Sequence, residues 1–306
     1  MSHPLIFDHN RIEQFRKRAF QKAKKGCDFL LSHMAEDLYK RLSTVDRLFT
    51  LALDLHSHTD LAAQALMKSG KVCSIERIET DTLYQSHDKK FHLRHREFLD
   101  LPQSYCDLIV SLLSLQLTND TPGVLSQIKN TLKPDGLFLA VMAGAGTLRE
   151  LRESLLQAES EIYDGASPRV YPFADIRDAG ALLQRVGFAL PVADVEDITI
   201  RYNTMFDLMH DLKAMGMQNA LINRSRHPVS KRFFLRAAEI YAQRFSDPDG
   251  RIRAHFSFLW LSGWAPHPNQ QKPLQPGSAQ ISLTDVLQPK KYDLKLFFKN
   301  TFICCP

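Results

Sequence analysis

The stretch Leu51-Ala-Leu-Asp-Leu-His-Ser-His-Thr-Asp-Leu61 decides how this chain folds. An apolar run ends at Asp54, passes through a short polar turn and re-emerges as the small-residue segment Leu61-Ala-Ala-Gln-Ala-Leu66. Strand, turn and helix in that order open a parallel α/β domain, and the first such turn is where nucleotide-like cofactors sit. A loop of this kind ordinarily reads acid-x-Gly-x-Gly-x-Gly, because bare backbone lets a cofactor approach and the turn needs unusual dihedrals. Here His56, His58 and Asp60 stand in the three glycine places. The sequence predicts a cofactor site present in outline and altered in detail.

Around this stretch the chain reads as an ordinary globular protein. Its 306 residues bury a substantial core, and its hydrophobic share of 44% and charged share of 24% fit that class. The formal charge of +5 is modest, and the basic residues are scattered, which speaks against nucleic-acid binding. No apolar run reaches the roughly 18 residues that span a bilayer. The N-terminus has neither a secretory apolar region nor an acid-poor presequence, so a cytoplasmic location is expected. The five cysteines form no CxxC pair, which argues against a disulfide framework and against a metal site. Cys73 and Cys106 lie in apolar runs and read as buried small hydrophobes.

Upstream, basic residues dominate 11–25, with Phe15, Ala19 and Phe20 on one helical face, and a second helix is expected over 28–42. This basic start reads as a lid, a docking arm, or a helical cap with a solvated face. Downstream, a second strand over 71–76 places Glu76 at its end, where an acid can hold both hydroxyls of a cofactor ribose; Glu79 is the reserve. A short strand over 91–94, the continuous apolar run 106–114, a helix from Pro122 closed by Lys133-Pro-Asp-Gly136, and a strand over 137–142 follow. This alternation predicts a parallel sheet covered on both faces. Thr147-Leu-Arg-Glu150 reads as a capping box for a helix to Tyr163. Further helices are expected over 174–186, 206–217 and 231–245, and strands over 197–202 and 252–260. Beyond 266 the chain reads as an extended tail. Within it, Lys290-Lys-Tyr-Asp-Leu-Lys-Leu-Phe-Phe-Lys299 reads as a terminal extension or a short amphipathic element.

The ordered set Leu53-Asp-Leu55, Asp107-Leu-Ile-Val-Ser-Leu-Leu-Ser-Leu-Gln116, Leu132-Lys-Pro-Asp-Gly136, Thr147-Leu-Arg-Glu-Leu-Arg152, Ser167-Pro-Arg-Val170 and Ser262-Gly-Trp264 carries a resemblance. It resembles the class I S-adenosylmethionine-dependent methyltransferases, specifically the bacterial relatives of the mitochondrial complex I assembly-factor methyltransferase-like proteins. The biotin-pathway malonyl-carrier-protein methyltransferases are more distant kin. The resemblance runs from Phe7 to Ser278. It implies a Rossmann-like, doubly wound seven-stranded α/β sheet with N-terminal helices over 1–47, a main domain over 48–265 and an inserted helical cap over about 147–245. S-adenosylmethionine would lie over the carboxyl ends of the first strands. Asp54 and the backbone of His56 to Asp60 would cradle its methionine portion, Glu76 or Glu79 the ribose, Glu97 the adenine amine, and Ser111 to Ser114 the pocket wall.

The departures bear on chemistry more than on fold. All three motif glycines are replaced, the family's His-Trp after the fourth strand is Gln116-Leu117, and its Gly-Gly-Asp after the fifth is Gly144-Ala-Gly146. Methyl transfer needs alignment first, and a general base only when the nucleophile is protonated. No catalytic base is assigned; His56, His58, Tyr171, Tyr202 and His210 are weak candidates. The sequence supports a methyltransferase acting on a small molecule or a protein. As alternatives it admits a non-catalytic protein of that fold, or an assembly factor that modifies an arginine of a respiratory complex I subunit, hydroxylation included.

Overall fold

The computed structural model describes residues 5–22, 26–85, 90–270, 277, 278 and 282. The chain divides into a unit Met1–His267 and a second unit Pro268–Pro306. Most of the expected tail, including 290–299, lies outside the described residues.

In the first unit, α1 (His9–Gln21) and α2 (Phe29–Ser43) precede β1 (Phe49–Leu55), α3 (Leu61–Lys68), β2 (Val72–Glu79) and β3 (Phe91–Leu93). Then come β4 (Cys106–Leu112), α4 (Thr121–Thr131), β5 (Leu132–Ala143), α5 (Arg149–Tyr163), α6 (Ile176–Val186) and β6 (Ala189–Tyr202). Helices α7 (Met205–Ala214) and α8 (Lys231–Phe245) lead to the last strand, β7 (Ile252–Trp264). The seven strands form one sheet in the order β3-β2-β1-β4-β5-β7-β6. β1 to β5 pair in parallel, and β7 runs antiparallel to both its neighbours. Strand order reverses direction between β1 and β4, so their carboxyl ends flank the crevice where ligands of open α/β sheets bind.

Alternation along the strands divides the core in two. Ala52, Leu108, Val110, Leu139 and Val141 face α2, α3, α5, α7 and α8; Leu53, Leu55, Ile109, Phe138 and Ala140 face α4 and α6. A smaller cluster of Phe7, Ile12, Phe15, Leu117, Tyr171 and Leu221 fastens α1 across the carboxyl end of the sheet.

Five local expectations change. Lys133-Pro-Asp-Gly136, expected as the break between helix and strand, lies within β5, where the pairing with β4 shifts register. β2 runs three residues past Glu76, because Arg77, Ile78 and Glu79 continue the ladder to β1 and β3. Glu76 is therefore not at the strand end, and period two turns it to the face opposite Arg77 and Glu79. Thr147 caps nothing. Its hydroxyl donates to the Ser257 carbonyl (2.9 Å) and accepts from the Ser257 amide (3.1 Å), so α5 starts at Arg149 after Leu148 in the left-handed region. Cys106 is buried, but Cys73, near the start of β2, is exposed. Finally, β6 spans 189–202, so a fourteen-residue strand divides the expected helical cap into α5–α6 and α7–α8.

Candidate functional site

The turn after β1 is held from both sides. His56 donates its amide to the Ile78 carbonyl (2.8 Å), and the His58 amide donates to Glu79 Oε1 (2.8 Å). His56 and His58 sit at φ +55° and +49°, whereas Asp60 has φ −88°. Two of the three glycine places thus demand left-handed backbone, at about 1–2 kcal/mol each for a residue with a β-carbon. Leu113, just past β4, and Leu148, just past β5, are left-handed as well (+50° and +55°). Such strain collects where surrounding structure overrules local preference, as at ligand sites.

Beneath the turn lies a buried charge cluster. The register pairs Asp54 with Arg77 on adjacent strands, and Arg77 Nε stands 3.4 Å from Asp54 Oδ2. Ser57 Oγ donates to the other Asp54 oxygen. Arg77 also reaches Glu79 Oε1 (3.2 Å) and the carbonyls of Thr59 (2.8 Å) and Tyr84 (2.9 Å). Burial, reinforced by Asp54, pushes Glu79 up to about 8 against the opposing pull of Arg77. Glu79 is therefore a protonated acid at neutral pH, and Asp54 is the carboxylate that answers Arg77.

Helix α1 straps this arrangement down through one face. His9 Nε2 lies 3.1 Å from Glu97 Oε1. Glu13 accepts from Arg96 Nη2 (2.7 Å) and from Thr80 Oγ1 (2.8 Å). Arg16 donates to the Leu113 carbonyl (3.0 Å). Arg96 also donates to Ser114 Oγ (2.6 Å), which ties the loop after β3 to the end of β4. Burial works to raise Glu13, but Arg96 and Arg16 hold it below its usual range. Arg16, Arg77 and Arg96 are each at most 2% exposed. Arg16 is pushed down to about 10 by burial and by Arg96, and stays protonated at neutral pH. His56 and His58 are held well below the ordinary histidine range, by burial first and then by Arg16 and Arg96, so both rings are neutral. Among the described residues Nδ1 of His58 has no hydrogen-bond partner, and the His56 ring meets the backbone of His95.

His58, with Asp28 and Met215, borders two openings. On one side is a largely apolar cavity of about 100 Å³, bounded by Arg16, Leu113, Gln116, Leu148, Leu151 and Phe258 among others. On the other is a cleft bounded by Thr59, Asp60, Arg77 and Tyr84.

The structure thus brings Asp54, His56, His58 and Glu79 together at the turn. Asp60 joins the second cleft. Ser111, in β4, donates to the Leu55 carbonyl (3.1 Å) at the end of β1. Glu97 is near by way of α1 but is engaged: its oxygens accept from the amides of Asn119 (2.6 Å) and Asp120 (3.1 Å). Glu76 is set apart, bonded to Tyr105 Oη (2.7 Å) and His92 (3.1 Å) on the other face of the sheet. Among the weak base candidates, Tyr171 is committed to the Gln218 carbonyl and the Ala220 amide. Sequence reasoning missed Arg16, Arg77 and Arg96. The available signals were the spacing His9, Glu13, Arg16 on one helical face and the alternation of Arg77 with Glu79 along β2.

The quoted motifs also serve structure. Ser167 and Arg169 both grip Glu159, the arginine in bidentate fashion at 2.8 Å, and Arg169 lies over the Phe233 ring. Gly144 lies where a β-carbon would fall 2.5 Å from Leu259. Among the described residues no cluster of metal-ligating side chains occurs, and no helix is long and apolar enough to cross a membrane.

No family model matches the chain. It is 38% identical over 288 residues to the arginine-hydroxylase NDUFAF5, mitochondrial, of Rattus norvegicus, covering 92% of this chain and 83% of the relative. It is 32% identical over 295 residues to the malonyl-[acyl-carrier protein] O-methyltransferase of a Methylovorus species, covering 90% and 93%. Among solved structures, a Bacillus halodurans C-125 protein named for a methyltransferase superposes with a TM-score of 0.53 at 14% identity, over 76% of this chain and all of its own. The YcgJ protein of Bacillus subtilis gives 0.52 at 14% identity, over 76% and 99%. These structures share the class I methyltransferase fold with this chain.

Proposed function

Because the chain belongs to the family of the arginine-hydroxylase NDUFAF5 proteins and has the class I methyltransferase fold, we propose that it is an S-adenosylmethionine-dependent methyltransferase whose acceptor is unidentified. The observation that carries this reading is the cavity at the β1/β4 switch point, walled by His58 and Leu113 in strained backbone. The orphaned Nδ1 of His58 is a buried polar atom that a polar ligand at this turn would satisfy, so the loop fits the methionine portion. Asp54 and the backbone of His56 to Asp60 would hold that portion, Glu79 the ribose, Glu97 the adenine and Ser111 the wall. When bound, the cofactor supplies an electrophilic methyl group. The chain's own residues orient the partners, keep both imidazoles neutral and exclude water beneath α1. Use of Glu79 and Glu97 requires their present contacts, and the Glu13–Arg96 pair, to open. Calorimetry with S-adenosylmethionine tests the reading on the full chain and on Glu13→Gln, which loosens the strap. Binding that strengthens in Glu13→Gln is expected. No heat from either protein at millimolar cofactor refutes the proposal.

The 38% identity to the rat relative favours a second reading, in which the target is an arginine on a respiratory complex I subunit. On that reading, deleting this chain lowers assembled complex I; normal assembly in the deletion strain rejects it.

A further inference from the structure

The apolar cavity bordered by His58 leaves one hydrogen-bond acceptor unanswered. Gln116, 5% exposed in the short turn after β4, donates through Nε2 to the Leu113 carbonyl (2.8 Å). That bond fixes the orientation of the amide, because a flip would set two oxygens against each other. Oε1 is left as a buried acceptor without a partner. The other polar groups of the wall are answered within the chain. Arg16 donates to the same Leu113 carbonyl (3.0 Å), and Glu13 and Glu79 support its charge. Arg169 is matched by Glu159, and Asp28, pushed toward its neutral form by burial, meets the Cys27 thiol. Thr147 is closed on the Ser257 backbone, Tyr171 on Gln218 and Ala220, and Asn219 on Pro168 and Leu221. Among the described side chains at this cavity, only Gln116 Oε1 and His58 Nδ1 are orphaned buried atoms. Leu148, Leu151, Met217, Phe256 and Phe258 make the remaining wall hydrocarbon, ring and thioether.

A buried oxygen that no donor reaches is costly, and a ligand that brings a donor removes the cost. A space of about 100 Å³ takes one ring or a short alkyl group, and phenylalanine and methionine walls favour the ring. A hydroxyl suits this wall better than an N–H donor, because it also offers lone pairs to Arg16. We propose that the cavity is a binding site for a free phenol, its ring against Phe256, Phe258 and Met217 and its hydroxyl donating to Gln116 Oε1. The site goes beyond the transferase reading, since binding there needs no cofactor. A phenolic ring has two sources, a free molecule or a tyrosine side chain, and a volume close to that of the ring itself favours the first.

The test is calorimetry of the full chain with phenol and with fluorobenzene, a ring of similar size that lacks the donor, each at up to about 10 mM, a range suited to ring-sized ligands. Phenol is expected to bind about tenfold more tightly, the worth of one net hydrogen bond. Gln116→Met keeps an unbranched side chain without the carbonyl oxygen. It is expected to bring phenol to the level of fluorobenzene or below, while fluorobenzene stays within about threefold of its affinity for the natural chain. Leu151→Trp, which fills the cavity and leaves Gln116 in place, is expected to abolish both. Equal affinity for the two probes in the natural chain, or no heat with phenol, overturns the proposal, whatever the variants do. A phenol preference that survives Gln116→Met, or phenol binding that survives Leu151→Trp, overturns it too. Tighter binding of N-acetyltyrosinamide than of phenol assigns the site to a tyrosine side chain and overturns the free-phenol site. Displacement of phenol by S-adenosylhomocysteine gives the Gln116 acceptor to the cofactor and overturns it as well. Phenol binding by a chain that gives no heat with S-adenosylmethionine leaves this site standing and rejects the transferase reading alone.

Discussion

Replacing Glu79 by glutamine probes the buried cluster that fixes the cofactor turn. Gln keeps an oxygen to accept the His58 amide, lacks the charge, and cannot titrate. In the natural chain Glu79 rises from 4.5 to about 8 through burial and the neighbouring Asp54, with Arg77 and Arg16 opposing. Between about pH 5 and pH 8 the folded state keeps a proton that the unfolded chain has released, so stability is present at the acid end of this window and is lost as pH rises through it. At about 1.4 kcal/mol per pH unit the full shift is worth roughly 5 kcal/mol, and coupling within the Asp54–Arg77–Glu79 group makes about 2–5 kcal/mol the working range. Glu79→Gln is therefore expected to match the natural chain near pH 5 and to exceed its stability by that amount at pH 8.5. Urea unfolding at pH 5, 7 and 8.5 measures both, with unchanged denaturant slopes as the check on two-state behaviour. A Gln variant that is less stable than the natural chain at every pH, by more than about 2 kcal/mol, refutes the reasoning. It would mean that Arg77 requires an ionised Glu79.

His56 and His58 act in the opposite sense. Held below 6.5 in the fold, they give stability that is lost as pH falls and the unfolded chain takes up protons, so His56→Asn, which tolerates left-handed backbone, should shrink the loss of melting temperature between pH 7 and pH 5. Glycine at both positions relieves about 1–2 kcal/mol of strain each but costs about 0.5–1 kcal/mol each in chain entropy. The double variant should stay within about 2 kcal/mol of the natural chain by denaturant unfolding. Arg169→Lys keeps the charge but breaks the two-pronged grip on Glu159 and the contact with Phe233, and should cost about 1–3 kcal/mol. Arg77→Met strands Asp54 as a buried charge and should cost about 3–5 kcal/mol, the largest loss of the set; a loss below 1 kcal/mol would show that Asp54 takes up a proton instead.

Local chemistry made the fold legible. The run ending at Asp54, the small-residue helix after it and the apolar run 106–112 are short-range patterns that appear in the structure as β1, α3 and β4, whereas Lys133-Pro-Asp-Gly136 was not a break but an irregular stretch within β5. The methyltransferase fold and the family followed from the order of these blocks. The residue-level site was only partly legible. Asp54, His56, His58 and Glu79 were named from position, but Glu76 was placed at a strand end that moved three residues on, and one such boundary shift reverses the face a side chain occupies.

By itself, then, the sequence determined the α/β alternation, the cofactor-type turn and the replacement of its glycines. Only the tertiary structure decided that His56 and His58 are strained while Asp60 is not, and that Arg16, Arg77 and Arg96 are buried. An arginine in a basic helix or on a short strand carries no mark of burial, because burial depends on what answers its charge. Those answers come from far along the chain: Glu13 for Arg96 and Asp54 for Arg77. Arg16 donates to the Leu113 carbonyl, and Glu13 and Glu79 support its charge.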